Sequence, residues 1–147
     1  MAIDHERFMR LALEEAARSK AEGNIAVGSV IVHGETVVAR GRNLVLSTYD
    51  LTAHAETVAL REAGAALRQV EFPGHRLYTT FEPCPMCCGA ILASGIATLV
   101  MGARFVPAES RWGGYSVERL IDLAERRGTI EVVTGVLTQE CNDIRYA

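Results

Sequence analysis

Apolar residues change their spacing several times along the chain, and each change marks a new element. Over residues 4 to 22, Phe8, Leu11, Ala12 and Ala16 fall at helical intervals behind a possible Asp4 cap, and Gly23 closes the segment. "AVGSVIVHGETVVARGRN" reads as two β-rich runs joined at His33-Gly34-Glu35, a hairpin. "LVLSTYDLT" has neither period and reads as a loop feeding a helix that starts near His54 and fades around Leu67. "HRLYTTF" (75–81) is a short apolar strand, after which "PCPMCCGAILASG" opens a helix with Pro85 in its tolerant first turn and Gly95 at its end. "IATLVMGA" (96–103) reads as a buried strand, "YSVERLIDLAERRG" (115–128) as an amphipathic helix stopped by Gly128, and "TIEVVTG" (129–135) as a last strand.

The order α-β-β-α-β-α-β-α-β predicts an α/β fold: a three-layer α-β-α sandwich on a five-stranded mixed sheet with helices on both faces. A chain of 147 residues without a repeat or linker suits one domain spanning residues 1–147. No run reaches the roughly 18 apolar residues of a membrane span, and the charged helical start is unlike a signal peptide, so a cytoplasmic protein without membrane contact is expected. A net charge of −3 offers no basic stripe, so the expectation is a small-molecule substrate and no nucleic acid partner.

Cys84, Cys87 and Cys88 crowd together, with Cys141 far away, which speaks for a metal or redox role over a disulfide framework. Cys84 and Cys87 stand three apart at a helix start, so their sulfurs lie on nearly the same side, where the helix terminus favours thiolates. A CxxC alone leaves metal, redox and packed-pair readings open. The redox reading expects the motif after the first strand, and a four-ligand structural zinc expects a second close pair; neither is met. Cys88 and Cys141 read as core filler. His54 is the candidate third ligand, since His5, His33 and His75 read as solvated loop or cap residues. Zinc held by one His and two Cys keeps a fourth position for water, and Glu56 would be the base beside it. Two residues apart on a regular helix means roughly 200° of rotation, so His54 and Glu56 can share a site only if the helix begins there.

"HAE" followed by "PCPMC" carries the established H-x-E…P-C-x-x-C signature and resembles the zinc-dependent cytidine and nucleobase deaminase superfamily, a likeness running from "AVGSVIV" to "GVLTQEC". The resemblance implies Zn2+ on His54, Cys84 and Cys87, and zinc-bound hydroxide attacking the amidine carbon that bears the exocyclic amine. Glu56 would carry the proton from water to the ring nitrogen and then to the leaving ammonia. It further implies that Asn43 holds the ring or ribose, that the Ala55 amide contacts the substrate, and that Val27 packs on the base face. Phe105 and Trp112, in the loop after the fourth strand, would wall the pocket. Members of the superfamily form homodimers or larger homo-oligomers, often through the PCxxC helix.

"LYTTFEPCPMCCGAI" is similar to both fungal cytosine deaminase and bacterial guanine deaminase, while "TAHAETVALREAG" and "GAR" resemble bacterial tRNA adenosine deaminase. The tRNA enzyme would be expected to show a basic surface and a basic C-terminal helix, whereas this chain is acidic and ends at "QECNDIRYA". The regular closing strand-helix-strand favours the cytosine type. The expectation is a hydrolase of the C–N bonds of cyclic amidines, acting on a small cytosine-like nucleobase. The alternatives are a tRNA adenosine deaminase and a guanine or purine-base deaminase. The chain also reads as stopping too early for a C-terminal lid helix, leaving an open pocket.

Overall fold

Strand pairing follows the hairpin. In a computed structural model, which describes residues 2–146, the elements run α1 (His5–Ala21), β1 (Gly28–His33), β2 (Thr36–Arg42), α2 (Val45–Thr48), α3 (Ala55–Leu67), β3 (Arg76–Phe81), α4 (Pro85–Ala93), β4 (Thr98–Ala103), α5 (Val117–Leu123), β5 (Glu131–Val133) and α6 (Thr138–Tyr146). The sheet order is β2-β1-β3-β4-β5, with β1 antiparallel to both neighbours and β3, β4 and β5 mutually parallel. Parallel neighbours need crossovers, and α4 and α5 supply them on one face, as the right-handed rule requires.

The strands alternate strictly between two cores. Ile31, Leu77 and Leu99 face Ala59 and Ala63 of α3, Ile91 of α4 and Ile121 of α5. Val30, Val32, Tyr78 and Val100 face Phe8, Met9 and Ala12 of α1 and Cys141 of α6. A sheet covered on both faces explains why β3 and β4 are buried throughout. Three glycines set the helix heights, Gly28 under α1, Gly41 under α3 and Gly102 under α6. A Cβ on Gly41 would lie 2.2 Å from the Ala55 carbonyl oxygen, so α3 rests directly on β2. One on Gly102 would lie 2.3 Å from the Cys141 sulfur, so α6 rests on β4 in the same way.

Several boundaries depart from the sequence reading. The helix expected to reach Gly128 ends at Leu123, because Glu125 adopts a left-handed φ of 56°. There the Arg126 amide reaches back to the Ile121 carbonyl (2.9 Å) and the Glu125 amide to Asp122 (3.0 Å), a closing motif in which glycine is usual. The last strand shrinks to Glu131–Val133, matching the short register it shares with β4. The segment read as a loop before His54 contains α2, whose Leu46 and Ser47 amides donate to Asn24 Oδ1 (2.9 and 3.0 Å). The missing lid helix is a further correction: residues 138–146 form α6, anchored by the buried Cys141 and by Thr138 donating to the Gly102 carbonyl (3.0 Å). Its polar residues hid it, since one buried side chain against a glycine is enough to dock so short a helix. Nor are the minor histidines all solvated, for His5 Nδ1 bonds the Tyr78 hydroxyl (2.8 Å) and His75 is buried, stacked on His33. No helix among the described residues is long and apolar enough to cross a membrane.

Candidate active site

His54 and Cys84 occupy equivalent places, each the N-cap of its helix. Both have extended backbone, with φ −73° and ψ 157° at His54 and φ −66° and ψ 172° at Cys84. Neither side chain caps its own helix, so both are free to point into the space between the two helix starts. His54 therefore stands outside the helical rotation while Glu56 stands inside it, and the roughly 200° objection of a regular helix does not apply. His54 Nδ1 lies 3.5 Å from Cys84 Sγ and 3.4 Å from Cys87 Sγ, and all three atoms fall within 4.8 Å of one another. Tetrahedral zinc with Zn–N near 2.0 Å and Zn–S near 2.3 Å requires an N···S edge of about 3.5 Å. The donor set fits the ion without rearrangement.

The electrostatics suit the same ion. A hydrogen bond from Cys87 draws the Cys84 thiol down to about 4, with His54 adding to the effect, while the same bond and burial push Cys87 upward. The Cys84 sulfur in turn raises His54. Metal binding takes thiolates, so a cation displaces the thiol protons as it binds. Glu56 is fully enclosed, and burial pushes its carboxyl up to about 7, opposed by its own backbone amide and by His54.

A cavity of about 250 Å³ opens in front of these groups. Among the residues singled out from sequence, Glu56, His54, Cys84, Val27, Asn43, Ala55, Phe105 and Trp112 all line it, whereas Cys87 is buried outside its wall. Asn43 is held by its amide, which donates to the Val27 carbonyl (3.1 Å), while its Oδ1 accepts from Val45 N–H (3.0 Å). That leaves its NH2 group as the one to offer a ligand. Phe105 packs edge-on against Phe81, with centroids 5.0 Å apart, and its amide donates to Glu82 (3.1 Å).

The sequence reading missed Glu82, Arg111 and Arg145. Glu82 is buried and saturated: Arg104 donates twice (3.2 and 3.1 Å), and the Phe105 and Val117 amides donate once each (3.1 and 2.9 Å). It joins the strand end that carries the cysteines to the loop that walls the cavity. A glutamate buried next to Pro83-Cys84 was the available signal. Arg111 and Arg145 also line the cavity. No periodicity announces them, because one lies in an irregular loop and the other on the unexpected α6.

Residues 2–103 match the family model described as the cytidine and deoxycytidylate deaminase zinc-binding region. The chain belongs to this family. Zinc is accordingly its cofactor, His54, Cys84 and Cys87 form a group that could hold it, and the family chemistry is hydrolytic deamination at a C–N bond. A tRNA-specific adenosine deaminase of Haemophilus influenzae is 39% identical over 93% of this chain and 78% of its own length. A chloroplastic tRNA(adenine(34)) deaminase of Arabidopsis thaliana is 46% identical over 73% of this chain, which spans only 8% of that protein. Among solved structures, one from a study of A-to-I editing by tRNA:A34 deaminases superposes with a TM-score of 0.84 at 35% identity, covering 94% of this chain and 98% of that one. A guanine deaminase from Nitrosomonas europaea superposes with a TM-score of 0.81 at 30% identity, covering 99% and 84%.

These relatives overturn the expectation of a small-molecule substrate without a nucleic acid partner, and they lend no support to the cytosine-like preference. Net charge misled because it averages over the surface. Seven arginines, among them Arg7, Arg18 and Arg42, spend their charge on carboxylates. What a polyanion meets is the local field at the cavity, not the sum.

Proposed function

We propose that this chain is a tRNA adenosine deaminase that converts an anticodon adenosine to inosine. Its likeness to the Haemophilus influenzae enzyme, extended over most of both chains, carries this reading. The cavity suits an extruded base: at about 250 Å³ it lies just below the range of drug-sized ligand pockets, which begins around 300 Å³.

Bound zinc supplies a Lewis acid that makes water a nucleophile at neutral pH. The protein's own residues do the remainder. Val27 and Phe105 present apolar surface to the base, and the Asn43 NH2 fixes it in the plane. The Ala55 amide, one of the orphan donors of a helix start, meets an oxygen or ring nitrogen at the near edge. Glu56 accepts a proton from water, delivers it to N1 of the adenine, and then carries a second to the departing amine. One water is consumed at C6 and one ammonia leaves, with Glu56 returned to its starting state. Burial, which raises the carboxyl, suits it to both giving and taking a proton.

The zinc-loaded protein is expected to form inosine in an anticodon stem-loop with adenosine at the first anticodon position, and to leave free guanine and cytosine untouched. The likeness to the Nitrosomonas europaea enzyme favours guanine deamination as the second reading. Xanthine from guanine with no inosine in the stem-loop would replace the first reading by the second.

A further inference from the structure

Two guanidinium groups line the cavity, and they are held in an unusual way. Arg111 lies over the Trp112 ring, 4.9 Å from its centroid. Arg145 lies over Phe81 at 5.3 Å and over Tyr146 at 5.1 Å. Among the described residues neither meets a carboxylate, in contrast to Arg104 close by, which is spent on Glu82 and Glu118. The carboxylates that line the cavity cannot neutralise them. Glu56 is buried at the cavity wall and forms no ion pair with either arginine, and Glu82 is saturated by Arg104 and two backbone amides. Stacking fixes the plane of a guanidinium and leaves its edge N–H donors free, which is the presentation a phosphate oxygen requires.

Around these two charges the surface is aromatic and apolar. Trp112 and Tyr146 are 37% and 59% exposed, and Leu51 stands 78% exposed at the cavity. Flat rings beside free guanidinium edges make a surface for unstacked bases and their linking phosphates.

We propose that Arg111 and Arg145 form a phosphate clamp that holds the RNA backbone next to the extruded nucleotide, one arginine from the loop after β4 and one from α6. The clamp rests on the tRNA reading above and assigns the residues that would give this acidic chain its hold on a polyanion. It accounts for an RNA-binding surface without a basic stripe: two unneutralised charges at the point of use replace a general positive field.

The test is binding of a fluorescent anticodon stem-loop to the zinc-loaded protein, measured by anisotropy across a salt series. The stem-loop carries inosine at the target position so that it is not consumed. On a single strand each phosphate contact contributes about 0.7 to the slope of log K against log salt, so Arg111→Gln with Arg145→Gln is expected to flatten the slope by about 1.4. Each substitution alone is expected to weaken binding about tenfold at low salt. The pair Arg10→Gln with Arg126→Gln removes the same charge from exposed positions outside the cavity and is expected to leave the slope unchanged.

An unchanged slope in the Arg111/Arg145 pair overturns the clamp. So does an equal loss in the control pair, which would mean that charge acts without regard to place. Adenosine 5′-monophosphate competing as strongly as the stem-loop would convert the clamp into a mononucleotide site and overturn it as well. Inosine formation is scored separately. Arginine-dependent binding without inosine sinks the deamination reading alone, and inosine formation with an unchanged slope sinks the clamp alone.

Discussion

The metal end of the cavity and its rim are built on different terms. At the metal end, His54, Glu56, Cys84 and Cys87 come from two helix starts seated on the sheet, and three of the four are at least nine-tenths buried. The rim is assembled from α2, the 104–116 loop and α6, elements with one or no residue fully in the core. Chemistry is held by short-range geometry on rigid supports, and recognition by long-range contacts among small pieces. Damage to the first should stop the reaction, and damage to the second should alter what is bound.

The largest effect should come from Glu56→Gln, which keeps the shape of the buried side chain and removes its proton traffic. Turnover of the stem-loop is expected to fall by about 10²–10⁴-fold while zinc stays near one ion per chain by elemental analysis. Turnover close to wild type would show that the proton moves elsewhere.

Two of the contact glycines offer a matched pair. Gly41→Ala drives a methyl group into the α3 backbone, so the helix that carries His54 and Glu56 must shift. Overpacking of this kind costs about 1–3 kcal/mol, and here zinc content and kcat should both fall. Gly102→Ala strikes the Cys141 side chain and lifts α6 instead. Zinc and kcat should survive that change while KM for the stem-loop rises. If both variants lose zinc equally, the two regions are not separable.

Glu82 is the bridge between the regions, and Glu82→Gln should have an intermediate outcome. In either orientation a glutamine turns its NH2 toward one Arg104 donor and one backbone amide, that of Phe105 or of Val117, leaving donors facing donors. A cost of about 1–3 kcal/mol follows. Steady-state kinetics should show KM rising more than kcat falls, with zinc retained.

The smallest effect concerns Glu118. Its carboxyl is held below the ordinary 4.5 by the hydrogen bond from Arg104, so its contribution to stability is present above 4.5 and is lost as pH falls through the lowered value. Urea midpoints of wild type and Glu118→Gln should therefore differ at neutral pH and converge in acid. A gap that persists on the acid side would mean the ion pair contributes nothing.

Legibility in the sequence followed the same division. The metal end could be read because its residues fall in two short motifs, His54 with Glu56 and Cys84 with Cys87, and their helices announce themselves by Pro85, by Gly95 and by apolar spacing. The hairpin and the parallel strands were readable for the same local reason. The rim could not be read. α6 is fixed by a contact between Cys141 and Gly102, residues far apart in sequence, and "QECNDIRYA" has too few apolar positions to signal a helix. α2 depends on Asn24 reaching its amides from the far side of the hairpin. The early end of α5 needs Glu125 in a conformation that its residue type does not suggest.

The helix starts record a choice between durability and work. Asp4 and Ser116 each accept a backbone amide at the start of α1 and α5, whereas His54 and Cys84 leave the amides of α3 and α4 without a side-chain cap. A good cap is worth about 1 kcal/mol, so any search for hardier variants would be drawn toward serine or aspartate at positions 54 and 84. Those substitutions would strengthen the helices and abolish the donor set, which makes selection for thermal endurance alone a route to a well-folded protein with no catalyst in it.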